Sequence, residues 1–122
     1  MTINGVISKI REIKPNQYSD DVLVDWISAV EQKVFLENIV WHVGADEVPP
    51  LPYDPETDKD TVLLIPEPYS GVYQRYLEAQ IDYYNGDHMR YINSMTMFNT
   101  ALSEYVDFYN RTHMPKATYV KV

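Results

Sequence analysis

The strongest constraint on the fold lies between Tyr69 and Tyr109. Tyr69, Val72, Tyr73, Tyr76, Leu77, Gln80, Ile81 and Tyr84 follow one another in steps of three and four residues, the spacing of one helix face. Asn85-Gly86 stops that helix and Asp87 caps the next. The following stripe is His88, Tyr91, Ile92, Met95, Phe98, Leu102, Tyr105, Val106 and Tyr109. So short a connection between two long amphipathic helices predicts antiparallel neighbours. A chain built around this hairpin is expected to be all-α.

Two more helices are predicted upstream. Ile3, Val6, Ile7, Ile10 and Ile13 form the first stripe, closed by Lys14-Pro15-Asn16 because a residue before proline is pushed out of helical geometry. Ser19 followed by Asp20 and Asp21 is an N-cap with acids in the first turn, where the helix dipole favours them. Leu23, Trp26, Ile27, Val30 and Val34 continue as the second stripe, widened by Phe35, Ile39 and Val40. It is expected to run to about Trp41 before Gly44. The expected core includes Ile7, Ile10, Trp26, Ile27, Val30, Tyr73, Leu77, Ile81, Ile92, Met95, Phe98 and Leu102.

Between residues 44 and 68 the periodicity vanishes. Six of the eight prolines lie between Pro49 and Pro68, and residues 44–68 carry seven acids and one lysine. The prolines exclude a regular helix or central strand there. Thr61 to Ile65 is the only strand-like run, bounded by Asp60 and Pro66. The expected organisation is an antiparallel bundle of about four helices over residues 1–115, with 44–68 as a long acidic loop or arm. Residues 116–122 are expected to be an extended tail.

The 122 residues include no cysteine, which removes disulfides, thiol nucleophiles and thiolate metal sites together. A net charge of -8 disfavours nonspecific binding to phosphate backbones and anionic membranes. Val62-Leu63-Leu64-Ile65, the longest aliphatic run, is far too short to span a bilayer, and Met1-Thr2-Ile3-Asn4-Gly5 lacks the basic start of a signal peptide. Eleven tyrosines against three phenylalanines suit surfaces that become interfaces, since tyrosine keeps a hydroxyl beside its buried ring.

The search for reactive constellations is negative. The glycines stand alone, so there is no phosphate-cradling loop. There is no Gly-x-Ser-x-Gly elbow and no His-Glu-x-x-His pair. Residues three before His42, His88 and His113 are Ile39, Asn85 and Asn110, not the glutamates of a di-iron bundle. Asp54-Pro55-Glu56-Thr57-Asp58-Lys59-Asp60 alternates acids as calcium loops do, but Lys59 and Ile65 occupy the positions that need glycine and a bidentate glutamate. Glu78 and Asp82 read as solvated helix charges. No enzyme activity, metal or cofactor is expected.

Several segments nevertheless form a familiar pattern. Tyr76-Leu77-Glu78-Ala79-Gln80-Ile81-Asp82-Tyr83-Tyr84-Asn85-Gly86-Asp87, Tyr91-Ile92-Asn93-Ser94-Met95, Phe98-Asn99 and Tyr109-Asn110-Arg111-Thr112-His113-Met114-Pro115 resemble proteins encoded among the head and neck genes of tailed bacteriophages and prophages. Ile13-Lys14-Pro15-Asn16 and Leu64-Ile65-Pro66-Glu67-Pro68-Tyr69 are similar to that group too. The resemblance is to small all-helical head–tail connector, or adaptor, proteins. It implies a virion neck subunit assembled in the host cytoplasm. Such a subunit would form a ring that contacts the portal protein and tail-side neck proteins, with DNA passing through unbound and no membrane involved.

Apolar anchors in the loop and tail, namely Leu51, Tyr53, Leu63, Leu64, Ile65, Tyr119 and Val120, are the candidate partner contacts. Backbone groups of Val62–Ile65 are expected to be unpaired and open to a neighbouring strand. The competing reading is a small acidic inhibitor or regulator that occupies a protein partner. Against it, the acids cluster in one loop instead of forming long acidic helical faces.

Overall fold

The computed structural model describes residues 1–44 and 52–116; Leu51, Tyr119 and Val120 lie outside the described residues. The described chain is mostly helical, with four α-helices and no strand among the described residues. Helix α1 spans Ile3–Ile13, α2 Asp20–Glu37, α3 Gly71–Tyr84 and α4 His88–Thr112.

Local chemistry sets most of the helix ends. Thr2 caps α1 by accepting the Gly5 N–H at 3.0 Å, and Ser19 and Asp87 cap α2 and α4 in the same way. Helix α3 ends as Asp87 N–H reaches back to the Asp82 carbonyl, with Gly86 at φ +78°. That left-handed conformation favours glycine.

Two boundaries differ from the sequence reading. Helix α2 stops at Glu37, where Asn38 leaves helical geometry (φ -135°), and Ile39–Trp41 continue as one 3-10 turn. Helix α3 starts at Gly71, not Tyr69, because the prolines at 66 and 68 shape a turn closed by Tyr69 N–H on the Pro66 carbonyl. Tyr69 still packs, stacking on Phe108 at 4.8 Å between ring centroids.

Helices α3 and α4 share the largest interface. Ring contacts run along it in opposite sequence order: Tyr83 with Tyr91, Tyr76 with Phe98, Tyr69 with Tyr105. Helices α1 and α2 both pack on α3. Ile7, Ile10, Ile27, Val30, Tyr73, Leu77, Ile81 and Phe98 are buried as expected, and Trp26, Met95 and Leu102 pack partly buried against them. Ile92 is not in the core: its side chain is 59% exposed. It shares a helix face with Thr96, Asn99 and Ser103, all exposed, so the buried stripe of α4 is narrower there than the periodicity suggests.

The irregular segment after residue 52 is tied down by polar contacts. Asp54 Oδ1 accepts the N–H groups of Glu56 and Thr57 at 2.7 and 3.1 Å, and Asp58 accepts from Asp54 N–H at 2.7 Å. These carboxylates shape a turn. Carbonyls of Lys59 and Thr61 accept the N–H groups of Asn4 and Ile3, so the segment satisfies donors that the first turn of α1 leaves open. The strand-like run makes a single antiparallel bridge, Val62 with Thr2.

Candidate functional site

Along α2 the register of Val24, Ile27 and Val34 faces the core, and Glu31 sits in it. A carboxylate there needs partners, since an unmatched buried charge is strongly unfavourable. Glu31 is fully buried and accepts from the Tyr73 hydroxyl, the Tyr53 hydroxyl (2.9 Å) and the Leu64 N–H (3.0 Å). The Tyr73 oxygen in turn accepts the Ile65 N–H at 2.9 Å. Burial raises the Glu31 pKa above the usual carboxylate range, and the three donors work in the opposite direction. Burial and the neighbouring Glu31 charge push the Tyr53 and Tyr73 phenols up, so both stay protonated as donors.

Asp82 corrects the expectation of solvated helix charges. It is 2% exposed, paired with Lys14 Nζ at 2.5 Å and accepting from the Ser94 hydroxyl. It therefore joins the end of α1 and the start of α4 to α3.

The proposed loop anchors divide. Leu63 and Ile65 are buried in the chain's own core, which corrects their reading as docking anchors. The backbone of the run is also paired internally: Leu63 N–H on the Met1 carbonyl, Leu64 on Glu31, Ile65 on Tyr73. No open strand edge is left at these three residues, because the run completes α1 and the Glu31 cage. Tyr53 is half-buried and committed to Glu31, whereas the Leu64 side chain is exposed. The sequence reading missed Glu31, although an acid inside the apolar register of α2 was its visible signal.

Exposed apolar side chains gather at both ends of α4. Tyr83, Tyr84, Met89 and Ile92 surround its start. At its far end, Val43 N–H donates to the Met114 carbonyl at 2.8 Å and Lys116 N–H to the Trp41 carbonyl, so exposed Trp41, Val43 and Met114 share one locality. A 25-residue helix separates the groups, roughly 37 Å at 1.5 Å per residue.

The second locality contains an open cavity of about 620 Å³ lined by Asn38, Trp41, His42, Asn110 and Pro115. His42 is buried, donates from Nδ1 to the Asn38 carbonyl at 2.8 Å, and meets Tyr109 edge-on at 4.8 Å. Asn38 is 7% exposed, yet among the described residues its side-chain Nδ2 has no hydrogen-bond partner. Such an unmatched donor costs about 1–3 kcal/mol. Among the described residues no group of three or more His, Asp or Glu is placed to hold a metal, and no helix is long and apolar enough to cross a membrane.

No protein-family model matches the chain, and no curated protein or solved structure matches it.

Proposed function

We propose that this chain is a structural subunit of a tailed-phage particle, a head–tail connector or adaptor that forms a ring between portal and tail. In this reading the helices form an antiparallel bundle with the acidic loop laid along it, and the chain catalyses no reaction. The observation that carries the reading is the pair of unlike apolar groups at opposite ends of α4. A ring needs heterologous contacts, so each subunit needs two different adhesive surfaces, not one self-complementary face. The likeness of the Tyr76–Asp87 and Tyr109–Pro115 segments to connector sequences supports the same reading.

The net charge of -8 adds two features. Copies crowded into a ring repel one another, so the free protein is a monomer or weak oligomer and closes into a ring on its docking partner. A wall without strong basic patches also lets DNA pass without holding its phosphates.

Incorporation into particles tests this. Met89→Ser with Ile92→Ser, and separately Trp41→Ser with Met114→Ser, should each keep the circular dichroism of the parent and lose incorporation. Electron microscopy of parent particles should place the protein in the neck. Its absence from particles, or normal assembly of both double variants, overturns the reading and favours an acidic regulator.

A further inference from the structure

Two asparagines precede glycine, in Asn4-Gly5 and Asn85-Gly86. This dipeptide is especially open to loss of the side-chain amide, because glycine puts no side chain in the way of its own nitrogen. In that reaction the glycine nitrogen gives up its proton and attacks Cγ of the asparagine. The new N–C bond closes a cyclic imide, while the bond from Cγ to Nδ2 breaks and ammonia leaves. Water then opens the imide at either carbonyl, giving aspartate or isoaspartate. No oxidant or other reactant is consumed.

The two sites are held in different ways. Asn85 and Gly86 are exposed, so water reaches them. Asn85 sits at φ -79° and ψ -6°, and the Gly86 N–H is engaged by the Tyr83 carbonyl at 3.1 Å. Closing the imide requires the Gly86 nitrogen to swing about the Cα–C bond of Asn85 toward Cβ, which breaks this hydrogen bond. The asparagine side chain has to turn as well, and it is tethered. Its Oδ1 accepts from the Tyr18 hydroxyl at 2.8 Å and from Gln17 Nε2 at 3.0 Å. Tyr18 is fixed in turn by edge-on contact with Trp26, 5.3 Å between ring centroids. At the other site the Asn4 N–H is bonded to the Lys59 carbonyl and the Gly5 N–H to Thr2 Oγ1. Gln17 and Tyr18 take no part in those bonds.

We propose that Asn85-Gly86 is a deamidation site that the fold keeps latent, with Gln17 and Tyr18 as the residues that clamp it. The connection between α1 and α2 thus also guards the reactive turn between α3 and α4. Opening of that turn, in a heated or partly unfolded chain, frees both the side chain and the Gly86 nitrogen. The result is durable, since refolding does not restore the amide. Isoaspartate routes the main chain through the side-chain methylene and so lengthens the turn that sets the register of α3 on α4. Either product adds a negative charge next to the exposed Tyr84. A copy that has once been open therefore keeps a mark on that surface.

The test incubates full-length protein at mildly alkaline pH, folded and in urea, and follows both dipeptides by peptide mass and isoaspartate assay. Asn85 should convert at least about tenfold more slowly in the folded protein than in urea, because local opening is the gate. Gln17→Ala with Tyr18→Phe removes both tethers and keeps the ring on Trp26. In the folded state that variant should speed conversion of Asn85 at least about threefold and leave Asn4 unchanged. In urea, variant and parent should convert at the same rate. If melting shows the double variant unfolded, Tyr18→Phe alone carries the comparison. Equal rates for the parent folded and in urea overturn the latency. An unchanged Asn85 rate in the folded variant overturns the clamp, and so does equal acceleration at Asn4, which marks general loosening.

Discussion

Glu31 and Asp82 are both buried carboxylates, and they are held in different ways. Asp82 has a cation, Lys14, and one hydroxyl, Ser94. Glu31 has two phenols and a backbone N–H, with no ion-pair partner among the described residues. The Lys14–Asp82 pair joins regular helices that also have apolar contacts. The Glu31 cage instead fixes an irregular segment that enters the core at Leu63 and Ile65 but has no periodic apolar face. A cation tolerates loss of its acid when its long side chain can turn to water. Buried neutral donors have no such escape. The polar contact therefore matters most where periodic packing is absent.

The most severe way to break that comparison is Glu31→Ala. It strands the Tyr73 hydroxyl and Leu64 N–H in the interior, and the expected cost is about 3–5 kcal/mol, from buried donors at about 1–3 kcal/mol each. Urea unfolding measures it, and amide exchange at Leu64 and Ile65 should accelerate beyond the global change. Asp82→Ala should cost less, about 1–3 kcal/mol, because Lys14 can regain water. If Asp82→Ala proves the more damaging in the same assay, the ranking of the two sites is wrong.

Acidity sharpens the comparison with a smaller effect. Glu31 titrates in the unfolded chain near 4.5 and above that in the fold. Between those values the folded protein holds a proton that the unfolded chain has released, so lowering pH stabilises the fold through this group. Its contribution is fully present below the unfolded pKa and is lost as pH rises through the folded one. The stability of the parent relative to Glu31→Gln should thus rise as pH falls from 7 toward 4.5, read from urea midpoints. A fall would mean that the three donors outweigh desolvation.

The smallest effect concerns Asp54, which is exposed. Its pKa is lowered by the N–H groups of Glu56 and Thr57. Asp54→Ala should speed amide exchange at those two residues and leave the urea midpoint unchanged.

The same contrast explains what could be read in advance. Helices α3 and α4 were legible because Val72, Tyr73, Leu77 and Ile81 repeat with the helical period, and Asn85-Gly86 marks a stop. Ile92 failed because periodicity locates an apolar stripe but not how wide a neighbour covers it. Leu63 and Ile65 looked like spare anchors because their own segment has no period, and nothing local shows that its backbone pairs with Met1 and Tyr73. The cavity at Asn38 was hidden for a similar reason: it needs residues 38–42 beside 110–115, a juxtaposition made by the His42–Pro115 bridge. No local pattern announces such a closure.

The carbonyls of Lys59 and Thr61 that complete the first turn of α1 have a consequence for synthesis. Helix α1 leaves the ribosome ahead of its partners and stays unfinished until a segment nearly sixty residues downstream has emerged. Closing so long a loop precedes the reward of the contacts it makes. The nascent chain therefore settles α1 late, and a truncation before Lys59 would leave that helix without its lid.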